Sequence, residues 1–92
     1  MNYQLVFSSG FQRAVKKIKR NTDLLIDLQK ALVVLQNDPF DPRLKTHKLK
    51  GILDGLYASS VDFEHRIIFN LIYESDTSAD LLIDFGTHDE VY

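Results

Sequence analysis

Residues 65–85 read HRIIFNLIYESDTSADLLIDF, and this stretch decides the fold. His65 to Tyr73 and Ala79 to Phe85 are two apolar runs of strand length, and Ser75 to Ser78 is the polar turn between them. Upstream, Gly55 to Asp62 reads as a further strand that meets His65 to Tyr73 around Phe63-Glu64. Leu44 to His47 fits a short strand or an extended segment. Such short connections between successive strands favour antiparallel meander pairing.

The first half of the chain has a different period. Asn2 to Phe7 alternates, with Tyr3, Leu5 and Phe7 on one side, and reads as a strand. Ser9 followed by Gln12 fits a capping box that would open a helix. Phe11, Ala14, Val15 and Ile18 then form one apolar stripe, and Asn21-Thr22-Asp23 ends that helix and caps a second. In the second, Leu25, Leu28, Leu32 and Leu35 make the seam, widened by Leu24 and Ala31, until Asn37-Asp38-Pro39 stops it. Two amphipathic helices with so short a break form an antiparallel hairpin. The order strand, helix, helix, meander predicts an α+β sandwich in which the helix pair covers one face of a curled sheet.

Composition bounds the function. Ninety-two residues make a single domain spanning 1–92, with 45% hydrophobic and 26% charged residues, an ordinary globular balance. The absence of Cys excludes disulfides and thiolate metal sites, and points to an intracellular, cytoplasmic setting. Apolar runs are of strand length and no basic-then-apolar leader opens the sequence, so neither a membrane span nor a signal peptide is expected. The net charge of −2 conceals an asymmetry: residues 1–50 carry ten Lys/Arg and four Asp/Glu, whereas residues 51–92 carry Arg66 alone against nine acids. A basic face toward a polyanion is therefore compatible with an acidic chain, and so is a merely solvated helix.

His88 stands just past the last strand, in Gly86-Thr87-His88-Asp89-Glu90-Val91-Tyr92. A buried strand from Leu81 to Phe85 would hold this imidazole at the rim of a sheet, where proton transfer near neutral pH is within its range. A solvent-exposed tail histidine is the plainer alternative.

Four groups of residues together resemble a known family. His47-Lys48-Leu49-Lys50-Gly51, Gly55-Leu56-Tyr57, Glu64-His65-Arg66-Ile67-Ile68-Phe69 and the Gly86 to Tyr92 ending look like the RelE/ParE toxin superfamily, closest to its YafQ-like and YoeB-like ribonucleases. The resemblance runs over the whole chain. It implies the toxin half of a toxin–antitoxin pair, bound to a cognate antitoxin in a hetero-oligomer. It also implies cleavage of messenger RNA on the ribosome, without metal or cofactor. The ParE-like branch, which poisons DNA gyrase, is the alternative within the fold, and a catalytically degenerate toxin that only binds its antitoxin is another.

Metal-free RNA cleavage uses the 2′-hydroxyl as nucleophile. It needs a base for that proton, an acid for the 5′-oxygen and a cation for the phosphate. By resemblance His88 would be the acid, Tyr92 the aromatic that stacks on a base or orients a phosphate, and Arg66 the phosphate ligand. A salt bridge from Arg66 to Glu64 or Asp62 is the competing role. His47 or Glu64 would be the base, and His47 is preferred because a carboxylate beside an arginine stays ionised. His65 should face away from Arg66 and be structural. Ser60 departs from the family, which has a second histidine or arginine there. Arg13, Lys16, Lys17, Lys19 and Arg20, with Lys45, Lys48 and Lys50, would supply RNA contacts. The three histidines show no metal-ligand spacing, so no metal is expected.

Overall fold

Long-range strand pairing organises the molecule. The computed structural model describes residues 3–74 and 77–92. Its five strands are β1 (Gln4–Phe7), β2 (His47–Lys48), β3 (Tyr57–Ser60), β4 (His65–Glu74) and β5 (Thr77–Thr87), in the spatial order β1-β5-β4-β3-β2. β2 to β5 pair antiparallel as a meander, as the short connections require. β1 lies parallel to β5, with Gln4 opposite Ala79 and Phe7 opposite Leu82. The α+β expectation holds, and the parallel edge strand is an addition to it.

The two long helices, α1 (Ser9–Lys17) and α2 (Thr22–Asn37), cover one face. Phe11, Ala14, Leu24, Leu28, Ala31 and Leu35 meet Ile67, Phe69, Leu82 and Phe85 of the sheet in the main core. The deepest positions of α2 are thus Leu24, Leu28, Ala31 and Leu35, while Leu25 and Leu32 are only half-buried and turn toward α1. Asn21 caps α2 through Leu24 N–H, as its side chain predicts. The cap of α1 is Ser8 rather than Ser9: Ser8 Oγ accepts from Phe11 N–H at 3.1 Å and donates to Ile83 O at 3.0 Å.

Ile83 is the reason for that shift. The register between β4 and β5 slips between Ile68 and Phe69, which face Asp84 and Leu82 and leave Ile83 as a bulge. Its carbonyl leaves the regular ladder, and the Ser8 hydroxyl satisfies it. Gly10 is required alongside, since a Cβ there would stand 3.1 Å from the same oxygen.

Several boundaries differ from the sequence reading. Residues 42–44 form a 3-10 turn, and Lys45 takes a left-handed conformation (φ 51°) before β2 begins at His47. Gly55, at φ 93°, lies outside β3 in a position that favours glycine. Thr77 and Ser78 already belong to β5, while Ser75 and Asp76 of the expected turn lie outside the described residues, as does Asn2 of the first strand. A four-residue helix, α3 (His88–Val91), follows β5 directly and was not anticipated. Among the described residues, no helix is long and apolar enough to cross a membrane.

Candidate active site

The face of the sheet turned away from α1 and α2 is where the chemistry collects. Side chains alternate along a strand, so Ile67 and Phe69 point into the main core and Arg66 and Ile68 point to the open face. Cross-strand partners share a face, which adds Ser60 and Gly86 beside Arg66, and Ala58, His47 and Asp84 in the row through Ile68. A small second cluster of Leu49, Ala58 and Ile68 lies on this face, with Leu53, Leu56 and Val91 of α3 packed against it.

α3 is held at the end of that face by its own sequence. The Glu90 carboxylate accepts the Thr87 backbone N–H at 2.9 Å, and this bonding holds Glu90 below the ordinary carboxylate range. Gly86 permits the close approach: a Cβ there would meet Glu90 Cβ and Oε1 at 3.1 Å and Val91 Cγ1 at 3.3 Å. His88 therefore projects from the first position of α3 with its side chain exposed. Its Nδ1 lies 3.8 Å from an Asp89 carboxylate oxygen. The Tyr92 ring meets the His88 ring edge-on, with centroids 4.3 Å apart. Burial pushes the Tyr92 hydroxyl up, and the nearby positive charge of Arg66 opposes that shift. Tyr92 also lines a cavity of about 280 Å³ with Leu49, Lys50, Ile52 and Leu53.

Among the described residues Arg66 pairs with no carboxylate. Its Nη1 donates to the carbonyl oxygens of Asp62 (2.9 Å), His65 (3.1 Å) and Phe63 (3.4 Å), in place of the competing bridge to Glu64 or Asp62. The Asp62 carboxylate is occupied elsewhere. It accepts from Glu64 N–H, from His65 N–H and from the His65 ring at 2.7–2.9 Å, fixing the β3–β4 turn. Although partial burial opposes it, this bonding holds Asp62 below its usual range. The guanidinium is thus oriented by neutral oxygens, and its full charge is left to act on an anion. His65 stacks on Phe85 at 5.7 Å on the core side, the structural role expected of it.

Arg66, His88 and Tyr92 come together, with Ser60 and Lys50 at their margins. His47 shares the open face but stands two strands from Arg66, a backbone spacing of about 10 Å. Its Nδ1 lies 3.3 Å from Lys45 O. Glu64 is exposed at the β3–β4 turn. The cationic set divides: Lys45 and Lys50 border the open face, Lys48 stands opposite Tyr57 on the other side of the sheet, and Arg13, Lys16, Lys17, Lys19 and Arg20 belong to the helix layer. Asp84, Arg43 and Phe63 went unremarked in the sequence. Asp84 reaches the open face through the bulge, and the other two line a cleft beside Arg66. Among the described residues, no three His, Asp or Glu side chains gather as a metal site.

The fold defined by this sheet, helix pair and terminal turn is shared with solved toxin structures. A YoeB/ParE toxin from Agrobacterium tumefaciens superposes with a TM-score of 0.79 at 17% identity, over 92% of this chain and 98% of that one. YafQ from E. coli superposes with a TM-score of 0.78 at 18% identity, over 98% of each chain. YafQ in the E. coli DinJ-YafQ toxin-antitoxin complex gives 0.76 at 18% identity, over 100% of this chain. No family model matches the sequence and no curated protein matches it, so the likeness is carried by structure.

Proposed function

We propose that the protein is the toxin of a toxin–antitoxin pair and an endoribonuclease that cuts messenger RNA on the ribosome by attack of the 2′-hydroxyl. The observation that carries this reading is the convergence of His88, Tyr92 and an unneutralised Arg66 on the open face of a RelE-type sheet. Arg66 would hold the scissile phosphate, and its charge would stabilise the dianionic transition state. His88, solvent-facing and steadied by Tyr92, would protonate the leaving 5′-oxygen. His47, on the same face, is the preferred base, and Glu64 at the turn is the alternative. Lys45 and Lys50 would contact the RNA backbone beside the site, while Lys48 faces the other side of the sheet. The basic face of α1 would contact ribosomal RNA or the antitoxin.

The antitoxin reading draws on the toxin–antitoxin complex among the similar structures and on a surface of this chain. An apolar cavity of about 280 Å³ opens between α1 and α2 beside Phe7, Val15, Leu25 and Leu32. With the lysines of α1 nearby, it suits the apolar side of an acidic amphipathic segment. One observation favours a second reading, a degenerate toxin that binds its antitoxin without cutting: Ser60, the departure from the family pattern, is the cross-strand neighbour of Arg66.

Primer extension on translated messages tests the proposal. Wild-type protein should give ribosome-dependent cuts, and His88→Ala should abolish them while still binding the antitoxin. Intact messages with wild-type protein would favour the degenerate reading, and DNA breaks with intact messages a gyrase poison.

A further inference from the structure

Beside Arg66 a cleft of about 400 Å³ opens at the β3–β4 turn. Its walls include Arg43, Lys45, Ser60, Asp62, Phe63 and Arg66. That volume falls within the roughly 300–1,000 Å³ of small-ligand sites. Two features of it are unusual. Three cations border it, of which Arg43 is engaged in a bidentate pair with Asp41 at 2.9–3.0 Å, and the acid among its walls, Asp62, is turned into its own turn by bonds to the Glu64 and His65 N–H groups. Phe63 is 95% exposed on that same turn, so its ring contributes almost nothing to the core.

The turn that holds Phe63 out is rigid for an identifiable reason. Asp62 bonds the two following backbone N–H groups, and Arg66 Nη1 bonds the carbonyls of Asp62 and Phe63. One set of bonds therefore fixes a bare aromatic ring and a guanidinium relative to each other. An exposed ring beside fixed cations matches the alternation of base and phosphate in a single strand of nucleic acid. We propose that this cleft is a nucleotide subsite for single-stranded RNA, with a base stacked on Phe63 and the adjoining phosphodiester held by Lys45. The proposal rests on the RNA-cleaving reading above, and extends it from the scissile phosphate to a neighbouring nucleotide.

Binding of a fluorescein-labelled 2′-O-methyl octanucleotide, which lacks the nucleophilic hydroxyl, separates the two ideas. Phe63→Ala should weaken binding about tenfold with an unchanged salt dependence, because stacking is lost and no charge is. Phe63→Trp should restore binding, and as the single tryptophan in the chain its emission should be quenched by the stacked base. Lys45→Asn, tolerated at a left-handed position, should lower the salt slope by about one. A duplex of equal charge should bind with no dependence on Phe63. Equal affinity of Phe63→Ala and wild type, or no binding of the single strand at all, overturns the subsite. His88-dependent message cleavage would stand in either case. Phe63-dependent binding without cleavage would keep the subsite and remove the nuclease.

Discussion

The two faces of the sheet are made from the same strands and put to opposite uses. On the helix side, Ile67, Phe69, Leu82 and Phe85 are at most 4% exposed and interlock with α1 and α2. On the open side, alternate residues of those strands are Arg66, Ser60, His47 and Asp84, covered only by a small cluster and a one-turn helix. Stability and chemistry are therefore separated by a single residue step along each strand. Substitutions on one face should move melting, and substitutions on the other should move activity.

Phe69→Ala gives the largest expected effect. Phe69 is fully buried and stacks on Tyr57, so its removal should cost about 3–5 kcal/mol in urea unfolding. A small loss would mean that the helix layer packs loosely and that the contrast between faces is overdrawn. His88→Ala should lower message cleavage on the order of 10²-fold, about 2.7 kcal/mol in the barrier, at unchanged midpoint. A fall in stability of similar size would show that α3 belongs to the packed part of the molecule.

Asp80 breaks the pattern on the core side. It is fully buried beside Leu5 and Leu71, and among the described residues neither carboxylate oxygen has a hydrogen-bond partner. Burial pushes its pKa up from 3.8 to about 7. The folded state then holds a proton that the unfolded state has released, so stability falls as pH rises from about 4 to about 7 and is level above. Asp80→Asn should remove that dependence, on the order of 4 kcal/mol, in unfolding measured across the window. Asp41, Asp62 and Glu90 are shifted downward and act in the opposite sense, as pH falls below their unfolded values. A slope that survives in Asp80→Asn would assign it to another group.

Gly86→Ala should have the smallest effect on stability, about 1 kcal/mol, because Glu90 and Val91 can retreat by a few tenths of an ångström. That retreat carries His88 with it, so cleavage should fall about tenfold, given the sensitivity of catalysis to placement. Equal activity in the two proteins would show that the site tolerates movement of α3.

The sequence exposed the local part of this design. The meander strands and both long helices follow from periodicity, and the Asn21 cap from its side chain. What escaped was set at a distance. Ser9 has the capping-box spacing to Gln12, yet the cap falls to Ser8, whose hydroxyl also satisfies the Ile83 carbonyl. The partner of β1 was undefined because a strand's own residues do not name its neighbour. α3 is too short for a periodic pattern, although Thr87 and Glu90 have capping-box spacing. At the site, His88, Tyr92 and Arg66 were legible as residue types in a familiar order. The orientation of Arg66 was not, since two nearby acids suggested a bridge and the backbone turn had claimed one of them. Phe63 looked like an ordinary apolar residue until the turn left it in water.

The parallel contact between β1 and β5 also bears on how the candidate site is put together. Ser8 and Ile83, which join the two strands, are 75 residues apart in sequence. Pairings this remote carry a loop-closure penalty before any contact repays it, and they slow folding. Until that closure is made, β5 lacks a neighbour on one side, and the bulge that sets the phase of Asp84, Gly86 and His88 lacks its Ser8 clasp. The site is complete only once that closure is made, because the bulge and its Ser8 clasp set the phase of the strand that leads to His88.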